Sequence, residues 1–128
     1  MASLAVFHNL RSLFAGKFFR FATIGSLVLL AGGVALIIVA LFPEVQELRV
    51  VPLHYNIHVG VDKVGAWWQL FVPTGIGLVL TAVNLVVAAK VWHREQVIAY
   101  AAVATSLVVD AIIAIHVGLI VLLNLAYA

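Results

Sequence analysis

The sequence predicts an all-α membrane protein: three transmembrane helices, an N-terminal interfacial amphipathic helix and one ordered extracytoplasmic loop, in a single membrane domain over 1–128. Three observations carry this reading. The chain of 128 residues is 66% hydrophobic and only 9% charged, where a soluble domain would carry about 25% charged residues. The apolar runs 21–42, 70–89 and 97–125 are each long enough for a hydrocarbon core of about 30 Å, which needs about 20 residues. The polar residues collect between those runs, in a leader, a loop at 43–68 and a short turn at 90–96. With no cysteine in the chain, disulfides, thiolate metal sites and cysteine nucleophiles are excluded. A net charge of +2 without a basic cluster speaks against a nucleic-acid partner.

The leader carries Arg11, Lys17 and Arg20 and no acid. On a helical wheel Leu4, Val6, Phe7, Leu10, Leu13, Phe14 and Phe18 share one side, and His8, Asn9, Arg11 and Ser12 take the other. That pattern predicts an interfacial helix over 1–18 lying apolar face down on a bilayer, with Lys17 and Phe19 breaking the pattern and Gly16 loosening the helix. Phe21 to Phe42 is the first span, uncharged and stopped by Pro43. It is too long for a signal peptide's apolar region, and no small-x-small cleavage site follows. Its pairs Ala22/Ser26 and Ala31/Ala35, beside Gly25, Gly32 and Gly33, suit close helix approach.

The segment PEVQELRVVPLHYNIHVGVDKVGAWW is the one substantial polar stretch. Val50 and Val51 before Pro52 predict extended chain, and Gly60 and Gly65 predict turns. Trp67 and Trp68, with Trp92 in the short turn, read as anchors at the bilayer edges. In the second span Pro73 falls in the first turns, where a missing N–H does least harm. Of the lysines and arginines, three lie in the leader, two in the 90–96 turn and two in the 43–68 loop. The positive-inside rule then predicts a cytoplasmic N-terminus and an extracytoplasmic C-terminus, in a bacterial plasma (inner) membrane.

Asp110 is the acid of the third span, thirteen residues beyond Val97 and fifteen before Leu125. At mid-depth a charge costs roughly 2.5–3.5 kcal/mol on insertion scales. A rise of about 1.5 Å per residue puts it level with Gly77 of the second span and Gly33 of the first. It also puts Asn84 near Thr105 and Ser106, so that a hydrogen bond from Asn84 to either is expected. No basic side chain shares Asp110's depth; His116 lies six residues on and about 120° round the helix. Three roles compete. The acid is protonated and bonded to a backbone carbonyl, or it pairs with a polar group of another subunit, or it belongs to a proton or ion path, which usually shows several linked acids. His54, His58 and Asp62 are of metal-binding type, but a structural zinc site wants four ligands. A bis-histidine haem would need two imidazoles at depth, and only His116 lies within a span. No Ser/His/Asp set, phosphate loop or dinucleotide motif is present. No catalytic residue, metal or cofactor is expected.

The run Pro52-Leu53-His54-Tyr55-Asn56, then Gly60 and Asp62, then a tryptophan pair and a new span, resembles the extracytoplasmic loop of the uncharacterised domain in SdpI-type immunity membrane proteins and similar short membrane proteins. The resemblance covers about residues 43–90, and Gly60 comes one residue later than that pattern has it. It implies that Pro52, His54, Asn56, Gly60 and Asp62 shape a compact outer loop, as short polar side chains and glycine also would on their own chemistry. The expected function is therefore a non-enzymatic accessory or assembly subunit of a larger membrane complex, in contact with lipids and other membrane subunits. The alternative is an SdpI-like immunity or sensor protein that binds an extracellular peptide through the 43–68 loop; a transporter or enzyme comes third.

Overall fold

The computed structural model describes residues 2–45 and 50–127, and the side chains of 8–42 and 50–126. A short helix α1 (Ala2–Leu13) turns through Gly16 into α2 (Lys17–Val45). A hairpin of β1 (Val51–Asn56) and β2 (Gly60–Gly65) follows. A 3-10 turn (Trp67–Phe71) then feeds α3 (Val72–Val91), which is joined to α4 (Gln96–Tyr127). Three helical stretches are long and apolar enough to cross a bilayer: Lys17–Phe42, Trp67–Val91 and Gln96–Ala126. α4 is the central one and packs against both α2 and α3.

The expectation of an all-α chain needs correction at the loop, which is a two-stranded antiparallel hairpin. Alternation of Val51, Leu53 and Tyr55 with Pro52, His54 and Asn56 is a strand pattern, and it outweighs the helical composition around it. The helices also outrun their expected limits. α2 begins at Lys17 and continues through Pro43 to Val45, because a proline in the last turn removes a single bond near an end that frays anyway. The first helix stops at Leu13, short of 18. Phe19 breaks the leader's pattern because it belongs to the next helix, where it is fully buried. Pro73 occupies the second position of α3, as its chemistry favours.

α1 spends part of its polar side on the rest of the chain, while His8 and Arg11 stay exposed. Asn9 Nδ2 donates to the Ala89 carbonyl (3.1 Å), His93 Nε2 donates to Asn9 Oδ1 (3.0 Å) and Trp92 Nε1 donates to Ser12 Oγ (3.3 Å). The helix is thus fastened to the α3–α4 turn by the face expected to be free. The side chains of Leu4, Val6 and Phe7 lie outside those described. The physical reason is the turn itself: its carbonyls and ring N–H groups need partners, and Asn9 and Ser12 supply them.

Two apolar cores close the ends of the three-helix unit. Leu13, Phe19, Ala22, Ala88, Ala99 and Val103 form one, beside the α1 end. Ile37, Leu41, Val51, Leu70, Val117, Ile120 and Val121 form the other, under the hairpin. The polar residues gather between them.

Candidate functional site

The middle of the unit is a polar ladder. On α3 the sequence Thr74, Gly77, Thr81, Asn84 steps by three, four and three residues, which keeps all four on one face. On α4 Ser106 and Asp110 are one turn apart and answer them. Asn84 Nδ2 donates to Ser106 Oγ at 2.9 Å, the pairing that the depth arithmetic anticipates. Ser106 Oγ donates in turn to the Ala102 carbonyl at 3.4 Å. Thr105 points outward and bonds its own helix, Oγ1 to the Ala101 carbonyl at 2.8 Å.

Asp110 is completely buried. Its Oδ2 accepts a hydrogen bond from Thr81 Oγ1 at 2.7 Å. The partner is thus the hydroxyl of a neighbouring helix. Its other oxygen, Oδ1, has no hydrogen-bond partner among the described residues and lies against Gly77. A Cβ at that glycine would stand 2.7 Å from Oδ1, 2.8 Å from Leu30 Cδ2 and 2.9 Å from Ile113 Cδ1. Gly77 is the notch that admits the acid.

Gly33, expected at the same level, instead faces Val117 and Thr74. The α2 residue at the acid's level is Leu30, thirteen residues beyond Lys17, because α2 starts earlier than the apolar run does. Gly25 meets Leu107, and Gly32 faces open space with nothing within 4 Å. Thr23, Ser26 and Thr74 also carry buried hydroxyls without a hydrogen-bond partner among the described residues. Chemically the ladder is a set of neutral hydroxyls and amides around one carboxyl.

The second constellation is the hairpin. All five residues of the loop motif fall in it. Its register pairs Pro52 with Val64, then His54 with Lys63, then Tyr55 with Val61. Leu53 and Asp62 are therefore the two unpaired residues, one in each strand. Such bulges re-aim side chains. Leu53 packs against the core below, and Asp62 Oδ1 accepts from His54 Nδ1 at 2.6 Å. At the tip the His58 N–H donates to Asn56 Oδ1 (2.9 Å) and the Val59 N–H to the Asn56 carbonyl (3.3 Å). Gly60 holds φ +81°, a conformation that glycine adopts without strain.

Asn124, which sequence reasoning passed over, ties this hairpin down. Its Nδ2 donates to the Pro52 carbonyl (2.8 Å) and to the Ile120 carbonyl of its own helix (2.9 Å). Gly65 is the second anchor: a Cβ there would collide with Gln69 Oε1 and stand 2.5 Å from Leu53 Cδ1.

No family model, curated protein or solved structure matches the chain. The site must therefore be read from its geometry.

Two cavities flank the hairpin where it meets α4. One, of about 490 Å³, is lined by Leu53, His54, Tyr55 and His116 with Leu119, Ile120, Leu122 and Leu123. The other, of about 470 Å³, is lined by Leu53, His54, Lys63, Trp68 and Gln69 with Val72, Pro73, His116 and Ile120. His116, expected within the span, thus comes together with the loop histidine His54. Trp67 and Trp68 are exposed at this end, and Trp67 meets Phe42 and Phe71 edge-on. Trp92, at the opposite end, is less exposed than Trp67 and Trp68. It is half-buried between Phe19 (5.1 Å between centroids) and Tyr100 (6.1 Å). Among the described residues no group of three or more histidine, aspartate or glutamate side chains is arranged to hold a metal. His54 and Asp62 instead satisfy each other.

Proposed function

We propose that the chain is a small, non-enzymatic, multi-pass membrane protein whose hairpin is a recognition element held at one end of the three spans. Embedding is supported by the outward faces. Ile24, Leu27, Val28 and Val39 of α2, Ile76, Val79 and Val83 of α3, and Ile112, Ile115 and Leu119 of α4 are all exposed, an apolar surface far larger than a soluble monomer tolerates. The lysines and arginines of the α1 end favour a cytoplasmic setting for that end; Arg49, one of the two loop cations, lies outside the described residues.

The observation that carries the recognition reading is the hairpin's assembly. Five motif residues are folded into one hairpin, bonded to α4 through Asn124 and set over two cavities. Asp110, by contrast, is sealed inside and serves packing. The likeness of Pro52, His54, Asn56, Gly60 and Asp62 to the SdpI-type loop gives the same reading an extracytoplasmic setting. A photo-crosslinking residue at His58, at the exposed tip, should capture a bound ligand or partner in cells, while one at Val79 on α3 should capture lipid alone. Equal capture at both positions contradicts the reading.

A second reading, accessory subunit of a larger complex, is favoured by Ala31, Gly32 and Ala35, which form a small-residue face of α2 turned outward. Purification in mild detergent with mass spectrometry separates the two: stoichiometric membrane subunits support the second, and a monodisperse small species the first.

A further inference from the structure

The two cavities share Leu53, His54, His116 and Ile120, so they are chambers of one cleft on either side of the hairpin–α4 contact. Each has a volume within the range of about 300–1,000 Å³ that small-ligand sites occupy. Their chemistry differs. The first chamber is walled by Leu119, Leu122 and Leu123. The second carries Lys63 and Gln69 beside the shared histidines.

The polar groups around the shared wall are incompletely used. His54 spends Nδ1 on Asp62, and its Nε2 has no hydrogen-bond partner among the described residues. His116 is exposed and has no hydrogen-bond partner among the described residues, although it sits on an otherwise apolar stretch of α4. An unpartnered imidazole facing hydrocarbon is unfavourable and marks a partner-seeking position. Lys63 likewise forms no ion pair among the described residues and brings its ammonium group to the second chamber. Carboxylates and phosphates are the groups that such donors hold best.

We propose that this cleft binds an anionic, single-chain amphiphile of the fatty-acid class drawn from the surrounding bilayer. Its acidic head is held by Lys63 and His116, and its alkyl chain lies along Leu119, Leu122 and Leu123. The proposal rests on the reading of the hairpin as the recognition element, and it names the ligand that element takes.

The test uses the full chain in dodecyl maltoside and a dansyl-labelled undecanoate that keeps its carboxylate, read by energy transfer from tryptophan; Trp68 lines the cleft. Transfer should saturate at about one equivalent. Oleate should displace the probe, and methyl oleate, with the same chain and no charge, should not. Lys63→Gln and His116→Phe should each weaken binding about tenfold with an unchanged circular-dichroism spectrum. Displacement by both competitors alike overturns the acid-holding role, as does wild-type affinity in both variants. Absence of saturable transfer overturns the ligand assignment itself. Capture at His58 is measured separately, so that failure of the ligand and failure of the broader reading are distinguishable.

Discussion

Gly77 and Asp110 are a matched pair, and neither is intelligible alone. The glycine leaves a notch in α3, the carboxyl fills it, and Thr81 satisfies one of its oxygens. Gly77→Ala should therefore force the α3–α4 contact apart and cost about 1–3 kcal/mol, as overpacking does, seen as a lowered unfolding midpoint in detergent. Asp110→Leu leaves the Thr81 hydroxyl unpartnered, and Thr81→Val does the same to the carboxyl; each should cost about 1–3 kcal/mol. The double variant, with both partners apolar, should recover most of that loss. Additive losses in the double variant would deny the bond its importance. Asp110 and its facing glycine were legible in the sequence because a lone acid in an apolar run stands out and a rise per residue gives its level. Thr81 was not, because a threonine is unremarkable in apolar company until its helical spacing from Gly77 and Asn84 is noticed.

At the scale of the element, the hairpin departs most from the expected helical plan. Its residues were legible as a compact turn, and Pro52, His54, Asn56, Gly60 and Asp62 do fall within one unit. The strand pairing was not legible, since only β1 alternates: Gly60-Val61-Asp62-Lys63-Val64-Gly65 does not, and two bulges offset the register. Nor was Asn124, whose partner lies 72 residues away in sequence. Asn124→Ala removes the clamp and leaves the Pro52 carbonyl without its donor. Proteolysis between β1 and β2 should then become markedly faster while the helical circular-dichroism signal holds. Asn56→Ala, which removes an acceptor at the exposed tip, should act in the same direction but more weakly. The opposite ranking would mean that the tip holds the hairpin and α4 does not. The leader teaches a related lesson: a helical wheel finds two faces correctly, but composition alone does not say that the polar one is spent on the α3–α4 turn.

For the whole molecule, two apolar cores at the ends and a polar ladder between them define a unit whose ends are chemically unlike. One end holds α1 on the short turn; the other holds the hairpin, the exposed tryptophans and the cleft. Three long apolar runs made this architecture legible, while the choice of α4 as the central helix depended on which faces carry small and polar residues together. The account requires the two ends to lie on opposite sides of one membrane. With no native cysteine, single reporters can be placed at His58 on the hairpin tip and at Glu95 in the α3–α4 turn, both exposed; Gly60, at positive φ, is avoided. A membrane-impermeant maleimide should label His58→Cys in intact cells and Glu95→Cys only after permeabilisation, whereas labelling of both without permeabilisation, or the reverse order, would contradict the account.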